Sequence, residues 1–233
     1  MPYRQGGLKI KMGRKRISRE KIINAFLFCA FDKSAGATSL QDIADFLEIK
    51  KASLYNHFGS KDEMYDATLV YCSDYLNFVN FIPEDINRDG KIYEEDAYGG
   101  FRKIIKRHIQ LYENEPLFQI FTFVHSEKYF NKNAAEIAEN ELIKIERGIA
   151  ELVKGFAEKE KLRRLPHDEL RRFSEWFAAA LAQQTDLYIM RKKEIVRQNP
   201  ESGAGSLFSL PTDASALEDI FSQADAYLKT IAL

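Results

Sequence analysis

Cysteine, histidine, long apolar runs and catalytic spacing are all scarce in this 233-residue chain, and each scarcity closes off a class of protein. Cys29 and Cys72 are the only cysteines. They form no closely spaced pair of the kind that holds zinc, and each sits in an apolar helical pattern, so both read as buried free thiols. No stretch of eighteen uncharged apolar residues occurs, and the polar, basic start lacks the apolar centre of a secretory signal. The sequence therefore reads as cytoplasmic, with no membrane partner. The four histidines stand far apart at 57, 108, 125 and 167, and no glycine-rich phosphate loop is present. No enzyme, cofactor or metal site is expected. His108, His125 and Glu127 could meet across helices as metal ligands, but such histidines are more commonly hydrogen-bonded or exposed. The stretch from Asp85 to Asp96 has the first spacings of a calcium loop in Asp85, Asn87, Asp89 and Gly90. The position of the bidentate glutamate falls on Asp96, however, so the stretch reads as a polar inter-helix loop.

What is present is ordinary folding composition, with 45% hydrophobic and 30% charged residues. The net charge of −1 hides an asymmetry. Residues 1–61 carry twelve Lys or Arg against five Asp or Glu, and the remainder carries twenty-two against thirty. One basic end on an acidic body suits a protein that meets phosphates at that end only.

Glycine and proline are sparse within the segments, β-branched alternation never lasts a strand's length, and apolar residues recur at three and four, so the expected fold is all-α. Ile22, Phe26, Cys29 and Ala30 stripe a first helix from Ser18 to a break at residues 34–36. Thr38 with Gln41 reads as a capping box for a short second helix carrying Leu40, Ile43, Ala44 and Leu47. After a three-residue turn, a further short segment sends Leu54 and Phe58 inward. Ser60 with Glu63 then opens a long helix through Met64, Ala67, Tyr71 and Phe78. Two short helices across such a turn, preceded by a third, make a helix-turn-helix when the second presents polar residues outward. Lys50, Lys51, Ser53, Asn56 and His57 do so. Lys and Asn suit base edges in the major groove of double-stranded DNA, Ser53, Tyr55 and Lys61 suit phosphates, and Ser39 could offer a helix N-terminus to another.

The run ATSLQDIADFLEIKKASLYNHFGSKDEMYDATL, residues 37–69, closely resembles the DNA-binding segment of the TetR family of bacterial transcriptional regulators, and the likeness extends over about residues 18–72. It lies in the T-S-x-x-D-I-A start, the apolar turn residue, the L-Y-x-H-F core and the S-K-D-E-M entry to the next helix. The resemblance implies phosphate contacts from Ser39, Tyr55, His57 and Lys61, and base or groove contacts from Lys50, Lys51, Ala52, Ser53 and Asn56. It also implies a divergent helical sensing domain after the DNA-binding one. Three positions depart from the pattern. Glu48 stands where the turn glycine is usual, Ser34 where a glycine ends the first helix, and Ala30 where a phenylalanine is usual. Glu48 must then adopt a positive φ at some cost, or the turn must reshape.

The expected organisation is a basic arm at 1–17, a helix-turn-helix domain at 18–62 and a helical effector-binding and dimerisation domain at 63–233. The arm, with Lys9, Lys11, Arg14, Lys15, Arg16 and Arg19, either follows DNA or is an unstructured tail. Helical patterns run over 101–113, 116–130, 134–161, 166–193 and 214–231, with residues 87–100 loop-like and 198–213 a flexible connection. Ala138, Leu142, Ile145, Ile149, Leu152 and Phe156 form a heptad-like seam. Leu170, Phe173, Phe177 and Ala180, with Leu217, Ile220, Phe221 and Leu228, either complete the monomer or pair two subunits. The resemblance implies a four-helix homodimer interface, and a palindromic operator would need two recognition helices. Tyr71, Tyr75, Phe101, Ile105, Phe118, Phe121, His125, Tyr129 and Trp176 are the candidate walls of a pocket for a small hydrophobic or aromatic effector. The expected function is a repressor released from its operator by that effector. An architectural or adaptor protein that binds DNA and senses no small molecule is the alternative.

Overall fold

The computed structural model describes residues 17–198 and 211–233, with the backbone alone at 87–89. Most of the basic arm and the connection at 199–210 lie outside them. Among the described residues every regular element is helical. Helix α1 (Arg19–Lys33) is capped by Ser18, whose hydroxyl accepts the Lys21 N–H at 3.2 Å, and it buries Ile22, Ile23, Phe26, Leu27 and Phe31. Helix α2 (Leu40–Phe46) starts one residue later than the sequence suggests. Ser39 and Asp42 form the capping box, not Thr38 and Gln41. Thr38 is instead buried, its hydroxyl donating to the Ser34 carbonyl at 2.8 Å. The segment Lys51–Asn56 is wound as a 3-10 helix, and α3 (Lys61–Asn77) follows from the Ser60 cap.

Beyond α3 the stretch read as a loop contains order. A short helix α4 (Glu84–Asp89) starts after Pro83 and ends at the left-handed Gly90, and a 3-10 turn covers Lys91–Glu94. Helix α5 (Ala97–Tyr112) then begins at an Asp96 cap, so two glycines fall in its first turn. Gly100 is there for proximity: a Cβ would run into the Phe156 ring. Helices α6 (Leu117–Glu127), α7 (Lys132–Glu158), α8 (His167–Gln198) and α9 (Ala214–Leu228) complete the larger domain.

The seam on α7 packs along α8 in the most extensive pairing of the fold, with Ile145, Ile149, Leu152 and Phe156 buried. Where α5 ends, the Glu113 carboxylate accepts hydrogen bonds from Tyr188 (2.5 Å), Lys192 (2.6 Å) and Thr212 (2.6 Å), tying α8 and the approach to α9 to α5. The Tyr188 hydroxyl in turn accepts the Asp213 N–H at 2.9 Å. Phe173, Phe177, Leu217, Ile220 and Phe221 are already buried within one chain.

Candidate nucleic-acid interface and ligand cavity

The segment 51–56 shows one face to the core and another to solvent. Leu54 and Phe58 are 1% and 2% exposed and pin it to the domain, while Lys50, Lys51, Ala52, Tyr55 and Asn56 are exposed and Ser53 and His57 half-exposed. The turn before it is made by Glu48 at φ 55°, with the Ile49 N–H reaching back to the Ala44 carbonyl at 2.9 Å. The family's turn geometry is thus kept without its glycine. Ser34 does the same at the end of α1, at φ 81° and ψ 159°. The positions where glycine is missing hold the conformations that glycine normally supplies.

Several of the expected phosphate ligands already have partners. The Ser39 backbone N–H and hydroxyl both donate to Asp42 at 2.8 Å. Asp42 is held down to about 2 by the Lys33 ammonium first, then by Ser39. A phosphate at Ser39 would have to compete with that carboxylate. Lys61 donates one of its three N–H groups to the Gly36 carbonyl at 3.0 Å.

Arg19, grouped with the arm in the sequence, belongs instead to the frame of the recognition segment. Its guanidinium lies 4.2 Å from the centre of the Phe58 ring and donates to the His57 carbonyl at 2.9 Å and to Glu63 at 3.1 Å. Glu63 accepts the Gly59 N–H at 2.7 Å, and that bond, with Arg19, keeps its carboxyl below the usual range. Position alone could not separate this arginine from its basic neighbours; its place three residues before Ile22 on the helix was the only signal.

The nine candidate ligand residues do not gather into one pocket. Phe121 and His125 line a partly open cavity of about 40 Å³, together with Leu76 from α3, His108 and Tyr112 from α5, Val124 from α6, Glu141 and Ile145 from α7, and Thr185 from α8. Phe118 packs on Phe31 of α1 at 5.0 Å. Phe101 sits in the core between Phe156 and Phe177, and Ile105 is fully buried. Tyr71 and Tyr75 pair with each other, half-buried, on α3. Tyr129 and Trp176 are 81% and 71% exposed. Trp176 borders a separate groove of about 220 Å³ between α8 and α9. A helical stripe tells which residues share a face but not which helix that face meets, which is why these assignments scatter.

Inside the cavity the Phe121 and His125 rings stack at 3.9 Å. Burial, and Lys128 after it, pushes His125 down to about 3, so its contact with Asp186 at 3.6 Å involves a neutral ring at neutral pH. Tyr112 donates to Glu141 at 2.9 Å, and Lys144 bonds the other oxygen of that carboxylate at 2.7 Å and the Leu76 carbonyl at 2.6 Å. His108, read in the sequence as a metal ligand or a hydrogen-bonded or exposed ring, is buried, and its Nδ1 has no hydrogen-bond partner among the described residues. Among the described residues no three His, Cys, Asp or Glu side chains gather as metal ligands, and no helix is long and apolar enough to cross a membrane.

Such a frame, with an exposed polar segment wedged among α1, α2 and α3 and a larger helical body beyond it, defines a helix-turn-helix arrangement. Residues 22–68 match the family described as bacterial regulatory proteins, tetR family. The biofilm operon icaADBC HTH-type negative transcriptional regulator IcaR of Staphylococcus aureus (strain Newman) is 37% identical over 99 residues, 40% of this chain and 51% of that protein. IcaR of Staphylococcus epidermidis (strain ATCC 35984) is 33% identical over 98 residues, with the same coverage. The chain thus spans about half the length of the relatives it matches. Among solved structures, a TetR transcription regulator from Haloarcula marismortui superposes with a TM-score of 0.59 at 11% identity, covering 92% of this chain and 98% of that one. A transcriptional regulator from Rhodococcus sp. RHA1 gives 0.56 at 15%, covering 93% and 99%. These two show the fold alone. Residues 22–68 are thus similar to the DNA-binding segment of the TetR family of bacterial transcriptional regulators.

Proposed function

We propose that this protein is a dimeric, sequence-specific DNA-binding regulator that represses transcription and is released from its operator by a small molecule. The observation that carries the reading is the exposed row Lys50, Lys51, Ala52, Tyr55 and Asn56, on a segment fixed from behind by Leu54, Phe58 and Arg19. Cationic and amide side chains on a rigid, protruding segment are what a major groove requires. A DNA target puts the site of action in the cytoplasm. Repression is carried over from IcaR, described as a negative transcriptional regulator.

The exposed apolar side of α8 and α9, with Trp176, Ala179 and Ala180 beside the groove, supports pairing of two copies. Two recognition segments one helical turn apart would read a palindrome, which one cannot.

Helix α6 is the element placed to link an effector to DNA. One side holds Phe121, Val124 and His125 on the cavity. At its start Phe118, on the same side, packs against Phe31, and the opposite side carries Phe123 against Phe26 at 5.7 Å and Glu127 accepting the Tyr65 hydroxyl at 2.9 Å. A ligand that moves α6 must therefore disturb α1 and α3 directly. This route supplements the long α3 helix as lever. Selection of binding sites from random duplexes, followed by a screen for compounds that release the selected site, tests the whole reading.

A further inference from the structure

We propose that the cavity lined by Phe121 and His125 binds a neutral aromatic alcohol, its hydroxyl bonded to His108 and its ring held against Phe121 and the apolar residues of α7. The inference rests on reading the chain as an effector-released regulator, and it gives that effector a chemical class. Four rings line the space, those of His108, Tyr112, Phe121 and His125, so a flat aromatic body meets aromatic faces and edges.

The polar groups of the wall decide the rest. Both oxygens of Glu141 are engaged, by Tyr112 and by Lys144. Thr185 donates to the Leu181 carbonyl at 2.9 Å. Lys144 is held by Glu141 and the Leu76 carbonyl, and Lys128, beside His125, does not line the cavity. An anionic ligand therefore finds no uncommitted cation, and burying its charge here would be costly. A cationic ligand finds only a carboxylate already neutralised.

Of the two histidines on the wall, His125 has its Nδ1 3.5 Å from Lys128 and 3.6 Å from Asp186, whereas the Nδ1 of His108, a residue 5% exposed, has no partner among the described residues. Burial, with Arg107 second, lowers its pKa to about 4, so the ring is a neutral donor and acceptor. A buried polar atom without a partner is destabilising, and a hydroxyl supplied by a ligand repairs it.

Size turns binding into a signal. A cavity of roughly 150 Å³ accepts benzene, whereas this one measures about 40 Å³. An aromatic ring enters only by displacing a wall, and the α6 wall is the one that also touches α1 and α3.

Calorimetric titration of the full chain with phenol, toluene and benzoate tests this. The expected result is phenol at least tenfold tighter than toluene, with no measurable benzoate binding. His108→Leu, checked for native helicity, should bring phenol down to the toluene level. In the unaltered protein, ¹⁵N spectra of the imidazoles should show the His108 resonances moving with phenol and not with toluene, which keeps the test independent of the variant's folding. Equal affinities for phenol and toluene would overturn the proposal. So would phenol binding that changes Trp176 fluorescence while leaving His108 unmoved, or no binding of any of the three, which would mean a cavity for water only. A chain that binds its selected DNA but ignores phenol keeps the regulator and loses this ligand class; one that takes phenol but selects no DNA does the reverse.

Discussion

At Ser34 and Glu48 an ordinary residue holds a backbone conformation reserved for glycine. Ser34 lies in the extended positive-φ region, where non-glycine residues cost about 1–3 kcal/mol. Its hydroxyl, which glycine would lack, accepts a long hydrogen bond from the Ala37 N–H at 3.4 Å. Ser34→Gly should therefore stabilise the protein by about 1 kcal/mol in urea denaturation, even after the greater unfolded-state entropy of glycine is counted. Glu48→Gly, relieving a milder left-handed turn, should gain somewhat less; a loss of stability in either variant would mean the strain is not there. Arg19 is expected to act on function more than on stability, because its ion pair with Glu63 is largely exposed and worth little. Arg19→Ala should weaken DNA binding about tenfold while leaving urea stability within about 1 kcal/mol. Arg19→Lys should recover only part, since a lysine cannot bond the His57 carbonyl and Glu63 through one planar fork. His108 sets a pH dependence. Its folded pKa of about 4 is below that of an exposed histidine, about 6.5, so its contribution is complete above pH 6.5 and is lost as the pH falls toward 4. Between pH 7 and pH 5 this group should remove roughly 2 kcal/mol of stability and His125, held at about 3, a similar amount, so His108→Leu should lessen the pH dependence there by about half.

At the scale of the elements, the Glu113 clasp makes the firmest case. Glu113 and Lys192 have side chains 7% and 8% exposed, and three helical elements depend on that one carboxylate. Glu113→Ala should cost about 3–5 kcal/mol, the usual penalty for breaking a buried charged pair. The loss should appear first as reduced protection of α9 in hydrogen exchange, because Thr212 and Asp213 anchor its start. None of this was legible in the sequence, where Glu113, Lys192 and Thr212 lie far apart in ordinary polar contexts. The helices themselves were legible wherever apolar spacing ran for several turns, as in α7 and α8. The boundaries shifted where two capping residues stood side by side: Thr38 and Ser39 both suit a helix start, and only the reach of Asp42 decides between them. Residues 84–94 were missed because their helices are too short to show a period and are set by Pro83 and Gly90. The polar face of 50–56 was readable because Leu54 and Phe58 fix its rotation. The cavity was half readable, in Phe121 and His125, while Phe118 went to the contact with α1 because periodicity does not say which helix a stripe will meet.

At the scale of the whole molecule, residues 1–61 carry net positive charge and the remainder net negative charge. Phe177 and Phe221, obvious candidates for a dimer contact in the sequence, are buried within one chain, so a charge at either should unfold the subunit and not merely separate two subunits. The interface is better tested at Ala180, exposed in the α8–α9 groove. Ala180→Arg should leave helicity intact and convert a sedimenting dimer into a monomer; a variant that stays dimeric would place the contact elsewhere. The central claim is that 50–56 reads DNA, and the most direct measurement is affinity for a duplex selected from random sequence, titrated across salt for the unaltered chain and for Lys51→Ala, Tyr55→Ala and Asn56→Ala. The expected result is a two-fold symmetric site with half-sites one helical turn apart, bound with an affinity that falls about a thousandfold or more between 50 and 200 mM salt. Tyr55→Ala should weaken all sequences alike, and Lys51→Ala and Asn56→Ala should change which sequence is preferred. Failure to enrich any sequence, or equal binding of the selected site by all three variants, would contradict the account.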